Sequence, residues 1–375
     1  MDFTVDTKEL KSAVTAASRA QTRAHALPIL DGLHIAYDGT EVAITGTRLD
    51  LTTTAAIPAH SGDAKGGAVV VNAKALQSAL KGVKVGHVRV RNTIDHEMHI
   101  SHNGGTVILN TLPLEDWPAL SMSGERHTAD FSSHALKAAL DQVLACASTD
   151  MTRPILTGAL FAAEGDGTRL VATDSYRLAV LDLPNVSLGI AEGLPLIIPA
   201  VALKEVHRAI GKLDTTMYLE HFPDGFVRFT VSGAVVTTRL IEGEFPQYRQ
   251  LIPATFSGTL DAPRETLLDM VTTLSNGIPK GKKAEATPVR ISLGAGRAQE
   301  ITVTIPDQGI RSAVCHGTYC GEDMEIAFNP GFLADGLKSI TGDTVTLQVQ
   351  SPLKPAVLRG NNPDHQCLLM PVRLA

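Results

Sequence analysis

Residues 3–14 read FTVDTKELKSAV, and the same design returns as FSSHALKAAL at 131–140 and as LDAPRETLLDMV at 260–271. Each stretch predicts a short strand, a helix-start signal and then an apolar-periodic helix. Thr7 and Ser133 are the expected N-caps, and Pro263 the expected first helical residue, where its missing amide hydrogen costs nothing. The first core leucines, Leu10, Leu136 and Leu267, lie 126 and then 131 residues apart. A recurrence of this length sets the number of structural units before any single motif is weighed.

Three further markers keep the same order. ALPILDGLHI, TRPILTGALF and ATPVRISL place Pro28, Pro154 and Pro288 at intervals of 126 and 134. VVVNAKALQSALKGV, LIIPAVALKEVHRAI and IAFNPGFLADGLKSI open a second helix at Leu76, Leu203 and Leu333, spaced 127 and 130. Trp117-Pro118 and Phe245-Pro246 are 128 apart. The irregular interval of 134 locates a short insertion at the basic loop Pro279-Lys-Gly-Lys-Lys283. Between the helices the chain alternates as strands, as in HVRVRNTIDHEMHI, GFVRFTVSGAVVTTRL and DTVTLQVQ, with turns at Asn103-Gly104-Gly105 and Asp224-Gly225. The expected fold is α+β: three repeated domains, each two helices packed on antiparallel sheets, over 1–124, 125–254 and 255–375. In the third unit MPVRL stands where LNTLP and TTRLI stand in the first two.

A chain of 375 residues exceeds one ordinary core. No apolar run approaches the roughly 18 residues of a membrane helix, so no membrane partner is expected. The start, MDFTVDTKELK, has neither the basic nor the apolar region of a signal peptide. The sparse cysteines Cys146, Cys315, Cys320 and Cys367 fit a reduced, cytoplasmic setting. The CHGTYC stretch at 315–320 lacks a second ligand pair at zinc spacing and reads as a strand carrying two thiols.

A net charge of −6 argues at first against a nucleic-acid partner. The charge is segregated, however. The six predicted helices (7–19, 73–84, 133–147, 200–212, 263–276 and 330–340) carry +6 together, leaving −12 elsewhere. Helices gathered on one surface would make that surface a footprint for a polyanion. With few aromatics on them, base stacking is not expected, and contact would be to phosphates without sequence readout.

No P-loop, G-x-S-x-G elbow or H-E-x-x-H motif is present. Gly294-Ala-Gly296 lacks a third glycine, and His96, His99 and His102 would alternate between the faces of a strand. In VATDSYRL, residues 171–178, Asp174 and Ser175 have no histidine at a repeat-equivalent place to complete a catalytic set. A strand and a tight turn shaping a surface pocket is the expectation there. No catalysis, cofactor or metal is expected.

Taken together, Leu27-Pro-Ile-Leu30, Ala172-Thr-Asp-Ser-Tyr-Arg-Leu178, Glu242-Gly-Glu-Phe-Pro-Gln-Tyr-Arg249, Phe328-Asn-Pro330 and Met370-Pro-Val-Arg-Leu374 closely resemble the bacterial sliding clamp family, the beta subunit of DNA polymerase III. The resemblance covers the full length. It implies a head-to-tail homodimeric ring of six domains, helices inside and sheets outside, encircling duplex DNA and conferring processivity on the replicative polymerase. A closed ring holds DNA by topology, so a mildly positive lumen suffices and strong phosphate contacts would brake sliding. The implied DNA-facing residues are Arg19, Arg23, Lys74, Lys81, Arg153, Lys204, Arg208 and Lys212, with the Lys280–Lys283 loop outlying.

The resemblance also implies a peptide pocket where the second and third domains join. There the polymerase III alpha subunit, the clamp loader and other clamp-binding proteins would insert short linear motifs with Leu/Phe anchors, and pocket-binding inhibitors would compete. Carried over by motif, its residues are Leu156, Thr173, Ser175, Tyr176, Arg177 and Leu178; Pro246, Gln250 and Leu251; Leu353 and Pro355; and Leu368, Leu369, Met370, Pro371, Val372 and Arg373. Two buried anchors at about 1.5–3 kcal/mol each, less association costs, imply roughly micromolar affinity. Val107, Leu109, Thr273 and Leu274 mark the dimer seam. The chain departs from the family pattern at several places. Gln250 replaces a frequent arginine, Ala200 and Val201 replace basic residues, Arg23 precedes the expected arginine position at Ala24, and Thr273 replaces an aliphatic residue. These departures leave open a specialised paralogue, an inhibitor-resistant or decoy version of the housekeeping clamp.

Overall fold

A computed structural model describes every residue except 22–26, 63–65, 85, 94–95, 125, 185, 188–192, 277, 279–286, 306–308 and 374–375. The chain forms two compact units, residues 1–136 with 201–240 and residues 137–200 with 241–375. This division cuts through the second sequence repeat. The reason is hydrogen bonding, because the sheets of that repeat continue into those of its neighbours. In the first unit a thirteen-strand sheet passes through the antiparallel pair Leu51–Pro58 and Ala234–Arg239. In the second a nine-strand sheet passes through Arg177–Leu183 and His365–Leu369. A separate four-strand sheet in the second unit has Gly309–Cys315 and Met324–Phe328 at its edges.

Six helices occur among the described residues: α1 (Thr7–Ser18), α2 (Ala73–Lys81), α3 (Ser133–Val143), α4 (Ala200–Ala209), α5 (Arg264–Leu274) and α6 (Pro330–Ser339). All six predicted helices are present, each ending one to four residues early. Arg19, Lys84 and Lys212 consequently fall past the helix ends, and the helices proper carry less of the positive charge than expected.

The caps also sit one residue earlier than predicted. Asp6, still extended, accepts from the amides of Lys8 (2.7 Å) and Glu9 (3.1 Å), whereas the Thr7 hydroxyl donates to the Gly86 carbonyl. Ser132 accepts from the Ala135 amide, while Ser133 is buried and bonds Asp214 and Thr215. Pro263 is the residue before α5, not its first. A cap needs β-region backbone, which the last strand residue already has. Cys315 and Cys320 lie in two strands, Gly309–Cys315 and Thr318–Gly321, rather than one, the first thiol buried and the second exposed.

The two joining pairs are built alike. The turns Thr47–Leu51 and Thr173–Arg177 each have their third residue in the left-handed region, Leu49 and Ser175 both at φ 78°. Each threonine hydroxyl accepts from that residue's amide, at 3.1 and 3.2 Å. The fourth carbonyl then receives the joining strand's end, Arg239 N to Asp50 O at 2.9 Å and Met370 N to Tyr176 O at 2.8 Å. The floors differ. Leu160, Val171, Leu178, Val180 and Leu368 form an apolar cluster with Phe245 and Tyr248 in the second unit. The register-equivalent residues of the first unit are His34, Thr45, Thr52, Thr54 and Thr237, which help line a cavity of about 390 Å³ beside Trp117.

Packing is closest where α1 crosses the strand Glu41–Thr47. A Cβ on Gly46 would lie 2.1 Å from the Ala17 carbonyl oxygen, so only glycine fits. Gly46→Ala should lower stability by about 1–3 kcal/mol, read as a drop in the urea midpoint; an unchanged midpoint would contradict this packing. In the second unit His365 is buried, and neither ring nitrogen meets hydrogen-bond geometry with a partner. Burial pushes its pKa down to about 4, only partly offset by the Gln142 backbone. The unfolded chain, titrating near its ordinary value of about 6.5, therefore binds the proton first. Stability from the neutral ring is full above about pH 6.5 and lost as pH falls toward 4, by about 3 kcal/mol in all. His365→Leu should flatten that part of the stability–pH curve, and an equally steep curve in the variant would assign the effect to other groups.

Candidate functional site

The sequence-predicted pocket residues all fall in the second unit, around the turn between the strands Gly167–Thr173 and Arg177–Leu183. Asp174 organises the turn. Its Oδ1 accepts from the amides of Tyr176 and Arg177, both at 2.9 Å, while its Oδ2 accepts from Arg177 Nε at 3.0 Å. The Thr173 hydroxyl donates to the Arg177 carbonyl at 2.7 Å. The C-terminal segment is tied to this turn by Met370 N to Tyr176 O, and Val372 N then donates to the Ala327 carbonyl at 2.7 Å.

Strand alternation divides the predicted set. Leu178 and Leu368 are directly opposed and buried in the apolar cluster with Val357, Phe245 and Tyr248. Tyr176, Leu251, Leu353 and Met370 are 55%, 52%, 63% and 42% exposed, apolar side chains that a folded monomer leaves in water. Pro246, Gln250, Ser175 and Arg373 are also exposed, and Pro355, Pro371 and Val372 are half-buried.

Three predicted residues point elsewhere. Arg177 pairs with Leu369 in register, on the face opposite to Leu178. There its guanidinium lies 4.5 Å from the Phe332 ring centroid and bonds Asp335 at 2.7 Å, while Leu369 is fully buried near Gly336 of α6. Burial opposes the charge on Arg177, but its carboxylate partners hold the guanidinium above its ordinary value. Arg177 therefore braces the turn rather than lining the rim, because a strand sends neighbouring side chains to opposite faces. Leu156 is buried, yet the apolar cluster takes its neighbour Ile155 instead. Phe332, which stacks on Tyr176 at 6.1 Å, was missed; its only signal was the apolar face of FNPGFLADGL.

The predicted DNA-facing residues separate by unit. In the first, Lys74 and Lys81 are exposed on α2, Lys204 and Arg208 on α4, and Lys212 beyond it. Arg19 lies just past α1. Arg23 and the Lys280–Lys283 loop lie outside the described residues. Arg153 belongs to the second unit, where Nη1 donates to Ser175 Oγ at 2.9 Å, so it supports the pocket turn rather than a basic helical face.

The predicted seam residues lie on two elements, the strand Gly105–Leu112 and α5. On the strand Gly105–Leu112, Val107 and Leu109 are the inward positions, Leu109 packing on the first unit's core, and Ile108 is the outward one at 53% exposure. Leu274 is buried in its own unit, which leaves Thr273 exposed beside it. A further cleft of about 600 Å³, near Arg297, His316 and Tyr319, is lined by none of the predicted residues. Among the described residues no three metal-capable side chains converge, and no helix is long and apolar enough to cross a membrane.

The family models for the N-terminal, central and C-terminal domains of the DNA polymerase III beta subunit match residues 1–121, 130–247 and 249–373. The chain is 27% identical to the beta sliding clamp of Streptomyces coelicolor, with 100% of both covered. It is 25% identical to the beta sliding clamp homolog GriR of Streptomyces muensis, over 100% of this chain and 99% of that one. Among solved structures, the DnaN sliding clamp of Bartonella birtlesii, bound to griselimycin, superposes with a TM-score of 0.90 at 28% identity, over 100% of both chains. The chain therefore belongs to the DNA polymerase III beta subunit family, the bacterial sliding clamps.

Proposed function

We propose that two copies of this chain close head to tail into a ring around duplex DNA, acting in the cytoplasm as a non-catalytic processivity clamp. The observation that carries the reading is a pair of sheet edges. Along Gly105–Leu112, residues 105–110 pair with a neighbour on one side, but on the other side only Thr111 and Leu112 are paired. The strand Gly309–Cys315 is an edge of its sheet, with Ile310 73% and Val314 49% exposed. Exposed apolar edges of this kind are templates for strand addition. Two different edges on one chain suit a heterologous contact that closes on itself after two copies. Introducing charge at both edges (Ile108→Lys with Ile310→Lys) should weaken self-association by about 2–4 kcal/mol and yield monomers in equilibrium sedimentation; a dimer of unchanged affinity would contradict the edge assignment.

The rim of Tyr176, Leu251, Leu353 and Met370 above the Leu178–Leu368 floor suits one short peptide with bulky apolar anchors. The Bartonella clamp's bound griselimycin supports a ligand of similar character. Polymerase III alpha and the clamp loader are the partners this reading implies. Gln250 at the rim supplies no cation, which favours apolar over acidic motifs and keeps a paralogue specialised against an inhibitor in view. Deleting residues 370–375 removes Met370 and the two backbone hydrogen bonds of the segment. It should reduce affinity for a Leu/Phe-anchored peptide at least about 30-fold while leaving the dimerisation affinity unchanged. Undiminished peptide binding, followed by fluorescence anisotropy, would remove the pocket assignment.

A further inference from the structure

The face that carries Arg19 and Arg208 also buries an acid. Glu205 of α4 has a side chain only 9% exposed. Arg208 Nη1 bonds its Oε1, and Arg19 Nη1 lies 4.0 Å from its Oε2. The two guanidinium-bearing side chains are themselves 49% and 41% exposed. All three line a groove of about 580 Å³ between α1 and α4, floored by residues 53–58 and 232–234. Two cations thus fan out to solvent from one sheltered carboxylate.

We propose that Glu205 is a positioning residue that holds Arg19 and Arg208 back from DNA phosphates, so that the basic face attracts the duplex without gripping it. The inference rests on the reading of this face as DNA-facing. A guanidinium that moved fully onto a phosphate would leave the buried carboxylate short of a partner, a costly state. The trio presents a net charge of one rather than two, and neighbouring Lys74, Lys81, Lys204 and Lys212 are left to supply diffuse attraction. Because DNA binding strengthens with the number of phosphates neutralised, the consequence is a shallow salt dependence.

The test uses the full-length dimer and a short linear duplex, with binding measured across salt concentrations. Glu205→Gln keeps the size of the side chain and removes its charge. It should steepen the slope of log K against log salt by about 0.9 for each released contact, which over a fourfold salt change adds about a 3- to 4-fold affinity difference per contact. Arg208→Ala alone should change the slope little, because that guanidinium is already held back, while Arg208→Ala added to Glu205→Gln should bring the slope back toward the parent. Glu205→Asp, which withdraws the carboxylate by one methylene, should shift the slope less and in the Gln direction, and it serves if the Gln variant does not fold. A merely structural Glu205 would lower the melting temperature and leave the slope alone, which would overturn the proposal. If Lys204→Ala with Lys212→Ala also left the slope unchanged, the DNA-facing reading would fail first, and the inference with it.

Discussion

Two antiparallel strand pairings hold the whole arrangement. Leu51–Pro58 with Ala234–Arg239 ties the second repeat to the first, and Arg177–Leu183 with His365–Leu369 ties it to the third. A ladder of backbone hydrogen bonds cannot be opened without leaving its amides and carbonyls unpaired, so each joined half behaves as one body. Three sequence repeats therefore give two compact units. The same ladder places the Met370 amide on the Tyr176 carbonyl, so the segment that forms the pocket rim is an extension of the strand that fastens the third repeat.

The shared frame makes the contrast between the two joints informative. Turns of the same backbone form, with a left-handed third residue and a threonine hydroxyl on its amide, carry leucine and valine over one floor and threonine and histidine over the other. The backbone geometry does not require the apolar choice. The apolar floor and the exposed apolar side chains Tyr176 and Met370 occur at the second joint, where the peptide pocket is proposed.

Much of this was legible in the sequence, because repeats report topology independently of any single propensity. The six helices and their core leucines followed from spacing, and so did the role of residues 171–178 as a strand and tight turn. What escaped was set by alternation and by cross-chain neighbours. The motif could name Arg177 and Leu369 but not the face each takes, which the strand register decides. On the strand Gly105–Leu112 the motif named Val107 and Leu109, whereas the exposed apolar residue between them is Ile108. Arg153 read only as a cation for DNA, and the sequence did not show that it also bonds Ser175. Glu205 was counted only as a charge on α4, since nothing in the sequence brings Arg19 to it across nearly two hundred residues.

The central claim is topological, and topology can be tested without reference to affinity. The dimer would be assembled by a clamp loader on nicked circular DNA, freed from unbound protein, and the circle then cut once. A ring that encircles the duplex is retained on the circle and runs off the ends after cutting, leaving the linear DNA bare. Equal retention on circular and linear forms would mean ordinary electrostatic binding and would contradict the account.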